Sequence, residues 1–434
     1  MNKDRAARIV VIGAAGASFT GLLADLISAP ELDGAVLSLV DTNADGLAIA
    51  EAIGHRMVKQ WHKKTKIVSS TDRREVLAGA DFVLTAIAVG GVEAWRQDQD
   101  IPRKYGYYGH SVDTVGPGGL FRGLRLIPPL IDICRDIENL APDAWVINYS
   151  NPIAGVCRAI RKTTNVKIVG LCTAGFLPLQ IARRLEIEPD RVDVISAGLN
   201  HCVWAMKIVV DGQDYTDQWH VKMRSMRSDG WLLPSIELLD VFGCWPMPGA
   251  SHVAEFFQFV YPPCDDGRDD GRYPFRKTLE FDQRLRRNRE RLASRKAQAA
   301  GNEPLSDQAE ESAGQAVAMV TDIWMDRRRR HYANIQNDAL VSNMPPEAIV
   351  EVPVIAGAAG VRGISVGPLP AGVVGIMQAR WAYYELLAEA AITRSKDMAL
   401  RCLCADPLTM SISHARQCVD EMFRVQAEFL PGFE

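Results

Sequence analysis

The sequence predicts an α/β fold built on a doubly wound parallel sheet. Three observations lead there. Short apolar runs recur that are hydrophobic on both faces, as strands covered by helices on each side must be. These runs alternate with helical segments. The first run ends in a glycine-rich turn that opens a helix, Gly13-Ala14-Ala15-Gly16-Ala17-Ser18-Phe19-Thr20.

The elements follow in order. Arg8 to Ile12 is a β-branched strand. The next helix carries Leu22, Leu23, Leu26 and Ile27 on one face, and Ala35 to Val40 is a second strand ending at Asp41. Ala80 to Val89 is a continuous apolar run closed by Gly90-Gly91. Ala144 to Ile147 and Val166 to Leu171 read as buried strands, with a helix from Ile153 to Lys162 between them. Beyond Val194 the pattern changes, and Ala205 to Val210 before Gly212 suggests an antiparallel excursion. The charged stretch Asp265 to Asp270 reads as a loop, Arg284 to Arg295 as an exposed helix, and Arg327 to Arg330 as a solvated helix end. Residues 371–427 read as helices broken near Pro407. The expected division is a Rossmann-like nucleotide-binding domain over 1–195 and an α+β substrate and oligomerisation domain over 196–434.

Composition excludes several function classes. The 434 residues are 47% hydrophobic and 24% charged, with a net charge of -4, so neither nucleic acid nor a membrane surface is an expected partner. No apolar run is long enough to span a bilayer. Met1-Asn2-Lys3-Asp4-Arg5 leads straight into a strand without a signal peptide, and the nine cysteines form no paired framework. A reducing cytoplasm is the expected compartment.

Five motifs carry the chemistry. Gly13, Gly16, Ala17, Ser18 and Phe19 form a strand-to-helix turn suited to a dinucleotide diphosphate, and Asp41 ends the next strand, where a carboxylate meets a ribose hydroxyl. Asp113 enters the tight turn Gly116-Pro117-Gly118-Gly119, which Arg122 and Arg125 follow; it can bind sugar hydroxyls, hold metal-linked water or act as a base. Asn148 and Asn151 close a strand, and the extended backbone before Pro152 can aim an amide at a ligand. Cys172 and His201 each end an apolar run, and together make a soft ligand pair for manganese, iron, cobalt or nickel, with positions left open for substrate oxygens. His252 and Glu255 stand three apart and share a face if helical, which places an acid/base pair.

These segments, in this order and nearly end to end, resemble glycoside hydrolase family 4, the NAD- and metal-dependent glycosidases. Ser111 to Gly119 with Arg122-Gly123-Leu124-Arg125, and Ala144 to Pro152, are the specific matches; with His252 to Phe256 they look closest to the α-galacturonidase and melibiase-type α-galactosidase branches. The resemblance implies a lactate/malate-dehydrogenase-like nucleotide half, bound NAD, and manganese held by Cys172 and His201. It also implies a redox-assisted elimination: hydride leaves C3 for NAD, the C2 proton is removed, the C1 substituent departs, water adds, and the hydride returns. General principles already set this NAD-dependent family apart from two-carboxylate glycosidases. Asp113 is the expected base, with His252 and Glu255 as further acid/base groups. Cofactor contacts extend to Asn151, and substrate contacts are expected from Asp113, Arg125, Asn151, Thr173 and Asn200. Thr173 stands where members commonly carry His, Asn or Asp, Gly249-Ala250-Ser251-His252 replaces a Gly-Asp-Arg-His run, and Phe242 takes the place of a tyrosine base. A homodimer or homotetramer acting on a small glycoside is implied. The alternative is an NAD-dependent hydroxyacid or sugar dehydrogenase.

Overall fold

The computed structural model describes residues 5–16, 19–107, 113–172, 177–247, 249–257, 260, 281–305 and 311–434. Ala17, Ser18, Thr173 and the Asp265 to Asp270 stretch lie outside the described residues.

In chain order the first half contains β1 (Arg8–Ile12), α1 (Phe19–Ser28), β2 (Val36–Val40), α2 (Ala44–Gln60), β3 (Lys66–Ser70), α3 (Arg74–Leu77), β4 (Phe82–Thr85), α4 (Gly91–Arg103), α5 (Gly116–Leu140), β5 (Trp145–Asn148), α6 (Ile153–Thr163), β6 (Lys167–Gly170) and α7 (Leu177–Leu185). Then follow β7 (Val192–Leu199), β8 (Cys202–Val210), β9 (Gln213–Asp214), α8 (Thr216–Ser225), α9 (Leu233–Phe242), β10 (Trp245–Met247), α10 (Ala250–Ala254), α11 (Phe281–Ala300) and α12 (Glu311–Met325). The chain closes with β11 (Arg329–Gln336), β12 (Ile349–Gly357), β13 (Gly360–Gly363), α13 (Ala371–Thr393), α14 (Lys396–Ala405) and α15 (Ile412–Val425).

The parallel half runs β3-β2-β1-β4-β5-β6, the order of a doubly wound dinucleotide fold. Its central strands are sealed on both faces: Ile9, Leu37, Phe82, Val83, Val146 and Ile147 are fully buried. Beyond β6 the same sheet continues through β11, β12, β7, β8 and β10, now antiparallel. The expected antiparallel excursion is the β7–β8 hairpin. Its tip is Asn200-His201, and His201 takes a positive φ of 111° there.

Two expectations are corrected. Arg284 to Arg295 is helical, but α11 packs on α2 and buries Arg295. Arg329 and Arg330 do not end a helix; they open β11, and Arg330 pairs with Asp193 on β7. Among the described residues no helix is long and apolar enough to cross a membrane.

Packing places the turn before α5 with little freedom. A Cβ on Gly119 would stand 2.4 Å from the carbonyl carbon of Thr114, so this turn closes only around glycine. Gly116, at φ 67°, is held from both sides: its N–H donates to Asp406 Oδ2 at 2.8 Å and its carbonyl accepts from Tyr383 Oη at 2.8 Å. Asp406 is itself ion-paired with the fully buried Arg380. The C-terminal helices thereby fix the loop that presents Asp113 and Thr114.

Candidate active site

The C-terminal edge of the parallel strands carries two adjoining regions. The first is a cleft of about 830 Å³ lined by Gly13, Ala15, Gly16, Asp41, Asn43, Ala86, Ile87 and Gly90. Gly13 (φ 100°) lies against β4's exit, where a Cβ would meet Ala86 O at 2.3 Å. Asp41 stands at the cleft wall, its Oδ2 accepting from Ala15 N and its Oδ1 from Asn43 N, both at 2.9 Å. Asn43 in turn caps α2 through Gly46 N at 3.0 Å. The size and lining fit an adenosine dinucleotide.

The described amides of the glycine turn are nevertheless spent internally. Gly13 N and Ala14 N donate to Val40 O, and Gly16 N donates to Gly13 O. Phe19 turns its ring into the core, and its N–H donates to Gly16 O.

The second region gathers around His201. Its Nδ1 is 3.0 Å from Thr114 Oγ1, and its ring meets that of His252 edge to face at 4.7 Å between centroids. Burial pushes the imidazole pKa down, so the ring favours its neutral, ligating form; Glu351 and Asp113 pull the other way. Cys172 follows β6 at the same edge, where its charge bears on Glu351. Glu351 on β12 is buried, accepts from Asn200 Nδ2 at 3.3 Å, and is pushed up to about 8, first by burial and then by Cys172. Among the described residues no three His, Cys, Asp or Glu side chains gather as a complete cation cage. A soft sulfur-plus-imidazole pair fits a divalent transition metal whose remaining positions are left to substrate oxygens.

Asp113 stands beside this pair. Arg122 Nη1 donates to Asp113 Oδ1 at 3.1 Å, and Arg122 Nε donates to the Asn151 carbonyl at 3.2 Å. Asn151 also accepts from Ile153 N at 3.3 Å, and its bond to Pro152 is cis. Asn148 is fully buried, bonded to Thr85 Oγ1 at 3.0 Å and Ser150 N at 3.1 Å, and so serves to shape this strand end. Arg284 of α11 lies over Trp95, 3.8 Å from the ring centroid, and its charge bears on Asp113 and Arg122.

The expected set is therefore partly reassembled. Asp113, Asn151, Cys172, Asn200, His201 and His252 converge. Arg125 does not join them as a substrate contact: it is 3% exposed, and its guanidinium is bonded to Asp98 at 2.7 and 2.9 Å and to Gln426 Oε1. Glu255 is buried, with its charge bearing on Tyr384 in the core. Phe242 packs with Trp204 and Phe257 in an aromatic cluster. Sequence reasoning missed Thr114, Arg284 and Glu351, and gave Arg122 no separate role. Arg122 and Thr114 had a nearby signal, their places beside the glycine turn that follows Asp113.

A doubly wound sheet with a dinucleotide-sized cleft, and beside it Cys172, His201, a carboxylate and two arginines, defines the class: an α/β protein of the dinucleotide-binding type. The particular family follows from comparison. The family 4 glycosyl hydrolase model matches residues 8–184, and the model of its C-terminal domain matches 196–409. The chain is 28% identical to an alpha-galactosidase of Bacillus subtilis (strain 168), covering 98% of this chain and 100% of the relative. It is 27% identical to an alpha-galacturonidase of the same organism, covering 96% and 97%. A crystal structure of a 6-phospho-alpha-glucosidase from gut microorganisms, in complex with NAD and Mn²⁺, superposes with a TM-score of 0.86 at 21% identity, covering 99% of this chain and 100% of that one. The chain belongs to family 4 of the glycosyl hydrolases and is a glycosidase.

Proposed function

We propose that this enzyme is an NAD- and divalent-metal-dependent α-glycosidase, with manganese as the metal, acting on a hexoside that carries an anionic group. The observation that carries the reading is the meeting of His201, Thr114 and Asp113 at the sheet edge that also forms the dinucleotide cleft. When bound, NAD supplies reversible hydride transfer at C3 and the metal polarises the C2 and C3 oxygens.

The chain's own residues do the rest. Cys172 and His201 Nε2 are the donors that would hold the metal. Asp113, oriented by Arg122, is the proposed base for the C2 proton. His252, whose ring meets that of His201 edge to face, is the proposed group that passes a proton to the departing C1 oxygen. Asn200, held by Glu351, is a candidate for a sugar hydroxyl. Arg122 and Arg284 supply two cations near Asp113, which supports a carboxylate or phosphate on the sugar. The comparisons give the dehydrogenase reading no support beyond a shared nucleotide fold. A homodimer or homotetramer in the cytoplasm completes the proposal; exposed Met410 and Ile412 at the start of α15 support a buried contact between copies.

The test is cofactor removal. Hydrolysis of aryl α-galacturonide, α-galactoside and 6-phospho-α-glucoside is measured before and after stripping NAD and metal. Loss of activity that returns only with both, and preference for an anionic sugar, agree with the proposal. Hydrolysis that persists after stripping contradicts it.

A further inference from the structure

Arg295 belongs to α11, far along the chain from the glycine turn, yet its Nη1 donates to Ala15 O at 2.7 Å. The residue is 6% exposed, and its Nε and Nη2 have no hydrogen-bond partner. A guanidinium stays charged, and a buried one with unused donors is costly unless something offsets it. Asp41 is the nearby carboxylate, but both its oxygens already accept backbone amides.

The turn itself poses the complementary problem. Its described amides from Gly13 to Gly16 are turned inward onto Val40 O, Asp41 and Gly13 O. They are not free to cradle a diphosphate in the usual way. Asp41 adds a negative charge to the same wall. Arg73 and Arg74 also line this cleft, but both are paired with Asp136, whereas Arg295 is the buried cation bonded to the turn itself.

We propose that Arg295 is a cofactor-positioning residue whose buried guanidinium supplies, from behind the glycine turn, the positive charge that draws the diphosphate of NAD into the cleft. The proposal rests on the NAD dependence argued above. It also gives α11 a purpose. Arg284 and Arg295 lie eleven residues apart on one helix, about 16 Å at 1.5 Å per residue, so one rigid element serves the sugar end and the nucleotide end. The helix is anchored independently, since Arg56 of α2 donates to Gln298 O and to Glu303 O.

Arg295→Met removes the charge and Arg295→Lys keeps it. Affinities for NAD and ADP are measured by calorimetry, and that for adenosine by saturation-transfer NMR titration. The expected result is a loss of roughly 10- to 30-fold for NAD and ADP in R295M, with recovery to within about threefold in R295K. Adenosine binding and the melting temperature of the unliganded protein stay close to wild type. Unchanged NAD affinity in R295M overturns the proposal. So does a parallel loss of adenosine affinity, or an equal loss in R295K, because either means that Arg295 only ties down Ala15. Wild-type protein that binds neither NAD nor ADP overturns the NAD reading itself, and is told apart by that result.

Discussion

His201 Nδ1 is hydrogen-bonded with Thr114 Oγ1 at 3.0 Å, which leaves Nε2 as the ring nitrogen for a metal. Metal on Nε2 requires the proton on Nδ1, and Thr114 Oγ1 accepts it. Removing that acceptor frees the ring to rotate and to change tautomer. Thr114→Val is predicted to weaken manganese binding roughly 10- to 100-fold, as loss of such a partner does elsewhere. Titration of the free Mn²⁺ EPR signal checks it. An affinity equal to wild type would place the metal elsewhere.

Cys172 and His201 should fail separately from the nucleotide cleft. Cys172→Ser keeps size but loses the soft thiolate. Hydrolysis is expected to fall by at least about a hundredfold, roughly 3 kcal/mol of barrier. NAD affinity, read by tryptophan fluorescence, should stay within about threefold. A large loss of NAD binding would show that the two regions are not independent.

The two arginines after the glycine turn have opposite roles despite standing three residues apart. Arg125 and Asp98 are a buried pair, 2% and 1% exposed at their side chains. Breaking it with Arg125→Met leaves a buried carboxylate and should cost about 3–5 kcal/mol in urea unfolding. Arg122 is paired with the more exposed Asp113. Arg122→Met should change stability by no more than about 1 kcal/mol, while lowering kcat/KM.

A pH effect on stability is predicted at the α1–α12 contact. Asp25 is pushed up to about 6 by burial, from the ordinary carboxylate value of 3.8, and its Oδ2 has no hydrogen-bond partner. The folded state therefore favours the protonated acid. Its contribution is complete below the unfolded pKa of 3.8 and is lost as pH rises through about 6. Asp25→Asn mimics the neutral form. It should stabilise the protein at pH 8 by about 1 kcal/mol, allowing for partial exposure, and do nothing at pH 3.5. Melting curves at both values decide it, and equal shifts would reject burial as the cause.

Much of this architecture was legible because strands and turns are local. The run to Ile12, the glycine turn and Asp41 fall within one βαβ unit, and Cys172 and His201 each end an apolar run. The order β3-β2-β1-β4-β5-β6 follows from such units. What the sequence hid is long-range. Thr114 and His201 are 87 residues apart, Arg295 and Ala15 are 280 apart, and nothing in either neighbourhood announces the partner. Arg125 illustrates the same limit. A cation after a glycine turn reads as a ligand contact until Asp98 and Gln426, which sequence order does not bring near, are seen to occupy it. The charge pattern of α11 suggested a solvated helix, because periodicity does not reveal that one arginine among many is turned inward.

Removal of the sugar's C2 proton during hydrolysis separates the proposed chemistry from direct displacement at C1. The most direct measurement is turnover of the preferred aryl α-hexoside in D₂O with NAD and Mn²⁺, followed by NMR of the released sugar. Deuterium at C2 of the product, no accumulation of NADH, and a primary isotope effect when the substrate itself carries deuterium at C2 are the expected results. Full hydrolysis with protium retained at C2 and no isotope effect would contradict it.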